Sequence, residues 1–146
     1  MAETLKTVLL LALPASGKSE VRRYLAHLPA EKVRTDFHMG PTVQLDDFPY
    51  VHLMRRIDEE LERKDRARVF FHGPNTSFQD PRQWGTLIEL LNEDYDDLVQ
   101  RREHSPNSAS VHFFARLERA CGRVGASLER FPVAARELIA RALETE

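Results

Sequence analysis

At 146 residues, 42% of them hydrophobic and 30% charged, the chain has the length of about one domain and enough apolar side chains to bury a core. Its 21 Lys and Arg stand against 23 Asp and Glu, a net charge of −2 with the signs interspersed, which excludes a polyanion-binding bias and leaves no nucleic-acid or membrane-surface signature. The single cysteine, Cys121, excludes an intrachain disulfide and fits a reducing compartment, so a cytoplasmic location is expected, and no run approaches membrane-spanning length.

The first element is the apolar run from Thr7 to Leu13, which breaks at Pro14 into Ala15-Ser16-Gly17-Lys18-Ser19. A near-continuous apolar run predicts a buried parallel strand, and Val21, Tyr24, Leu25 and Leu28 predict an amphipathic helix directly after it. The turn between them has the chemistry of a phosphate cradle. Gly17 supplies backbone without a Cβ where chain and phosphate approach most closely, and Lys18 adds a flexible point cation for the terminal phosphates. Ser19, in the first helical turn, offers a hydroxyl to Mg²⁺ beside the positive helix N-terminus. Ala12 stands where a first glycine is commoner in this eight-residue pattern and is its smallest substitute. Two other readings compete. Lys6, the apolar run and Ala12-Leu13-Pro14-Ala15 mimic a signal peptide, although the run is short, Glu3 cancels Lys6, and Gly17-Lys18-Ser19 would be left without a role. The second is an ordinary buried strand and capped helix with no ligand.

Pro29 stops the first helix, and residues 32–36 read as a short second strand ending in Asp36. After a loop at Gly40-Pro41, Asp47 and Pro49 predict a helix entry, with Tyr50, Leu53, Met54, Ile57 and Leu61 on one face. Asp58-Glu59-Glu60 reads as the solvated side of that helix, and Arg55 and Arg56 as solvent-facing. Residues 67–72, ending in Phe70-Phe71-His72, form a third strand candidate. Asp80-Pro81 opens another helix, with Trp84, Leu87, Ile88, Leu91, Tyr95 and Leu98 in one inward stripe. Asp94, Asp96 and Asp97 lack calcium-loop spacing and read as surface charge. After a loop over residues 105–108, helices run from Val111 to about Arg123 and from Phe131 to about Leu143. Phe114, Leu117, Cys121 and Val124 point inward from the first, and Ala135, Leu138, Ile139 and Ala142 from the second.

Alternating strands and helices predict an α/β fold with a parallel sheet of about three strands and a helix-rich second half. A single domain is expected, residues 1–79 forming its strand-helix nucleotide-binding part and residues 80–146 its helical part. A ligand then belongs at the carboxyl ends of the strands, beside the loop, Asp36 and His72. Through Leu13-Pro14-Ala15-Ser16-Gly17-Lys18-Ser19-Glu20, and Asp36, the chain resembles the P-loop NTPase superfamily, in its kinase-like branch of nucleoside monophosphate kinases and small-molecule or polynucleotide kinases. The resemblance implies ATP and Mg²⁺ as cofactors, held by Ala12, Leu13, Pro14, Ala15, Ser16, Gly17, Lys18 and Ser19. It implies Ser19 at the metal, Lys18 on the transferred phosphoryl, Asp36 as base, and phosphoryl transfer to an unidentified small acceptor. The family's acid at the end of the strand beside the first has no counterpart in Phe70-Phe71-His72-Gly73. A neutral histidine is a poor Mg²⁺ ligand, so His72 reads as structural or substrate-facing. Three strands also fall short of the family's five, so the chain reads either as a fragment of a longer core or as a helical elaboration. The alternative function is a catalytically silent nucleotide-binding or regulatory module; oligomeric state is not legible.

Overall fold

The computed structural model describes residues 3–10, 15–102, 109–129 and 131–144. Among them the chain forms α1 (Lys18–His27), α2 (Ala30–Phe37), α3 (Phe48–Glu62), α4 (Gln83–Gln100), α5 (Ala109–Arg123) and α6 (Val133–Glu144). The described residues contain no strand. Their one β feature is an isolated antiparallel bridge between Phe71 and Phe78, flanked by Gln79 N–H to Phe70 carbonyl (2.8 Å) and His72 N–H to Ser77 carbonyl (3.2 Å). The expected α/β fold with its parallel sheet is therefore wrong. No helix among the described residues is long and apolar enough to cross a membrane.

Each lost strand has a local cause. Residues 7–10 are irregular, and residues 11–14, the rest of the expected first strand, lie outside the described residues. The expected second strand, with Asp36, lies within α2. Pro29 sits at that helix's N-cap position, where its fixed φ of −55° prepares a helix start, so it opens α2 besides ending α1. Ala30, Glu31 and Lys32 are then good helix formers in the first turn. In the expected third strand, the donors that a ladder would use are taken by a side chain. The buried Asp58 carboxylate accepts from the N–H of Val69 (2.7 Å), Phe70 (3.1 and 3.2 Å) and Phe71 (2.8 Å).

The chain divides into two compact units, Met1–Gln44 and Leu45–Glu146. In the first, neither α1 nor α2 buries a residue, and Val21 and Tyr24, expected inward, are exposed. Its long-range ties include Leu5 N–H to His38 carbonyl (2.7 Å) and Arg22 to Gln44.

The second unit holds the core. α4 packs along α5, α6 packs against α3 and α5, and α3 touches α4. Met54, Ile57 and Leu61 of α3, Phe70, Leu87 and Leu90 of α4, Leu117 of α5, Phe131 just before α6 and Ile139 within it are almost fully buried. Tyr50 joins them as expected, and its hydroxyl donates to Asp94 (2.6 Å).

Three expectations for this unit fail. Asp58 and Glu60 are buried rather than solvated. Asp94 and Asp97 are not free surface charge, because the buried Arg116 of α5 reaches both, at 2.8 and 3.2 Å, and Glu93 at 3.2 Å. One and two turns on, Arg119 pairs with Glu93 (2.8 Å) and Arg123 with Glu89 (3.2 Å), so arginines along α5 face acids along α4. α4 is also rotated from its expected phase: Gln83, Thr86, Leu87 and Leu90 are buried, whereas Trp84, Ile88, Tyr95 and Leu98 are exposed.

Cys121 is core, as expected. It is 1% exposed, its thiol lies within hydrogen-bonding reach of Gln83 (3.6 Å) and Thr86 (3.7 Å), and burial pushes the thiol above its ordinary titration range. Two measurements test this packing. Asp58→Ala leaves three buried amides without an acceptor and should cost about 3–5 kcal/mol in denaturant unfolding. Cys121 should react with an aromatic disulfide reagent only at the rate of unfolding, since a buried, protonated thiol is inert.

Candidate functional site

The glycine-lysine-serine segment lies where a helix begins, as the sequence predicts. Gly17 occupies the N-cap of α1 at φ 90°, and Ala15, two residues earlier, is also left-handed at φ 59°. A Cβ at Gly17 would meet nothing within 4 Å, so the position selects glycine for its backbone conformation and not for space. Ala15 carries the same geometry with a Cβ, at a cost of about 1–2 kcal/mol. The Gly17 carbonyl accepts from Glu20 N–H (3.0 Å) and Val21 N–H (3.1 Å), closing the first turn, and no side chain caps the helix.

Lys18 and Ser19 thus stand in the first turn of a ten-residue helix, Lys18 half-buried and Ser19 exposed. The positive end of the helix and the left-handed residues before it favour an anion at this place. Ala15, Ser16, Gly17, Lys18 and Ser19 are the described part of the predicted loop; Ala12, Leu13 and Pro14 lie outside the described residues.

Asp36 belongs to the same compact unit but not to a strand end. It lies in the last turn of α2, exposed, and accepts from the Thr35 hydroxyl at 3.2 Å. The convergence of strand ends that was to bring it beside Ser19 is absent among the described residues. His72 is exposed in the turn between Phe71 and Phe78 and falls in the other unit. Arg55, expected to face solvent, is half-buried. Its guanidinium lies 4.1 Å from the Phe71 ring and donates to the Pro74 and Thr76 carbonyls, bracing that turn.

Among the described residues no group of three or more His, Cys, Asp or Glu could hold a metal. The second unit carries an open groove of about 300 Å³ beside α5 and α6, with Cys121, Ala126 and Leu128 among its lining. Two of its charges, Arg136 and Glu118, are already paired at 3.3 Å.

The polar residue that sequence reasoning missed is Asp58. Its signal is phase: residues 54, 57, 58 and 61 share one helical face, so a carboxylate there falls on the core side. The chain matches no protein-family model, no curated protein and no solved structure.

Proposed function

We propose that the chain binds ATP with Mg²⁺ through residues 12–19 and serves as a nucleotide-binding module. The observation that carries this reading is the pair of left-handed residues, Ala15 and Gly17, set immediately before an N-terminus that no side chain caps and that bears Lys18 and Ser19. Each part has a separate task. Amides of the turn and first helical turn would point at phosphate oxygens, which need donors and no protons of their own. Lys18 would follow the outer phosphates as a point charge on a flexible stem. The Ser19 hydroxyl suits Mg²⁺, a hard cation that keeps several waters and takes few protein oxygens. Bound there, Mg²⁺ would neutralise phosphate charge.

A binding module is favoured over a phosphotransferase because the catalytic geometry of the kinase-like branch depends on a parallel sheet, and the described residues form none. Phosphoryl transfer to a small acceptor is kept as a second reading by one observation, the exposed Asp36 carboxylate in the same compact unit as Lys18.

Titration of the folded chain with ATP, GTP and ADP, with and without Mg²⁺, tests the binding. Lys18→Ala should weaken ATP·Mg²⁺ by about 1.5–3 kcal/mol, the range for a lost charge-assisted hydrogen bond. A folded wild-type chain with no affinity for any nucleotide at millimolar concentration would overturn the reading. Asp36→Asn separates the two functions. It should leave ATP affinity nearly unchanged while abolishing any transfer to an acceptor, because a base acts on the acceptor and not on the nucleotide. Transfer that survives the substitution removes Asp36 from the chemistry.

A further inference from the structure

The apolar stripe predicted for α4 exists, but four of its six residues do not face the core. Trp84 is 58% exposed, Ile88 57%, Tyr95 41%, Leu98 47% and Val99 63%. At 100° per residue these five and the half-buried Leu91 fall within a band about 100° wide running the length of the helix. No charged residue lies inside the band. The acids Glu89, Glu93, Asp94 and Asp97 are turned to the arginines of α5 and to Arg102, and Asn92, Gly85 and Asp96 border the stripe on its other side. Isolated exposed apolar residues are ordinary, but a continuous uncharged stripe on an 18-residue helix is not.

We propose that this face of α4 is a docking surface for α4 of a second copy of the chain, the two helices running antiparallel about a twofold axis near Leu91 and Asn92. Area supports it. The five exposed side chains present roughly 500 Å² per copy, taking full aromatic side chains at about 150–250 Å² and aliphatic ones at less. Two copies that cover these side chains completely bury about 1,000 Å², the threshold for a specific interface and the range of a weak, transient one. The stripe is also self-complementary. The antiparallel register sets Trp84 opposite the second copy's Val99, and Ile88 opposite its Tyr95, so a large side chain meets a smaller one along the seam. The arginine pairs keep most of α4's acids out of that seam, so like charges do not oppose each other across it.

Sedimentation of the full chain from about 1 to 200 µM should show its mass rising from one copy to two, 200 µM corresponding to a binding free energy of about −5 kcal/mol. Ile88→Glu and, independently, Val99→Lys should keep it monomeric throughout with an unchanged helical circular-dichroism signal. Having two variants guards against one that fails to fold. Asn92→Cys, placed beside the axis, should form an intermolecular disulfide on oxidation, whereas the wild type, whose one thiol is buried, should not. A wild-type chain that stays monomeric at 200 µM overturns the proposal, and so does a dimer that survives both substitutions. A dimer in which Asn92→Cys does not cross-link overturns the antiparallel register.

Discussion

One carboxylate organises the helical unit. Asp58 projects from the core face of α3 and accepts hydrogen bonds from three consecutive amides, those of Val69, Phe70 and Phe71. Burial pushes its carboxyl above the ordinary aspartate range, against the pull of those amides and of Arg68. The arrangement solves a problem of the apolar segment after α3, whose side chains must be buried although its backbone donors have no neighbouring strand. With the donors satisfied from α3, Phe70 packs fully into the core, and Phe71 stacks on Phe78 at 4.5 Å between ring centres. Gln79 reinforces the same turn, its amide nitrogen donating to the Phe71 carbonyl at 2.7 Å and to the Arg68 carbonyl at 3.3 Å.

The second constraint lies between α4 and α5. Arg116 is buried and has several carboxylates within reach, so it holds its place through polar matching while Leu87, Leu90 and Leu117 supply the apolar part of the same region. This pairing sets the rotation of α4. Once Asp94 and Asp97 are committed to Arg116, the arc carrying Trp84, Ile88 and Tyr95 must turn outward, because a helix cannot present both arcs to one neighbour.

These two interactions also explain what the sequence made legible. The helices α3 to α6 were readable because each carries apolar residues at a spacing near 3.6, and α3 and α4 begin close to Asp-Pro or Asp-x-Pro signals. The buried face of α3 was readable for the same reason. The phase of α4 was not, because its apolar arc spans more than one partner can cover, and the choice between its halves rests on arginines that approach from α5. The third expected strand failed in a similar way. Residues 67–72 have the composition of a strand, and only the position of Asp58, nine residues before Ala67, decides that their donors go to a side chain. The second failed more locally, since Pro29 reads as a helix stop and serves as a start. At the candidate site, the start of a helix at Gly17-Lys18-Ser19 was legible from the amphipathic pattern that follows it, whereas the left-handed backbone of Gly17 was not. The placement of Asp36 was inferred from a sheet, and it left the argument with the sheet.

The N-terminal unit poses a separate question of energetics. Its two helices, of ten and eight residues, are shorter than the roughly 12–15 residues at which isolated helices become even marginal in water, and neither buries a side chain. Ordering such a segment costs about 1–2 kcal/mol of backbone entropy per residue, and among the described residues only the partial burial of Leu25, Leu28, Val33 and Met39 offsets it. Two residues, Ala15 and Gly17, also hold left-handed conformations. A segment of this kind gains most from any ligand that binds its ordered form alone, because ligand at a hundredfold excess over its dissociation constant adds about 2.7 kcal/mol to the stability of that form. A polyphosphate seated at the N-terminus of α1 would act where that helix is weakest, supplying acceptors to first-turn amides that no side chain caps and a countercharge to the helix dipole. Under the proposed binding, recognition and folding would fall on the same few residues, and glycine, lysine and serine at the start of a short helix would serve both.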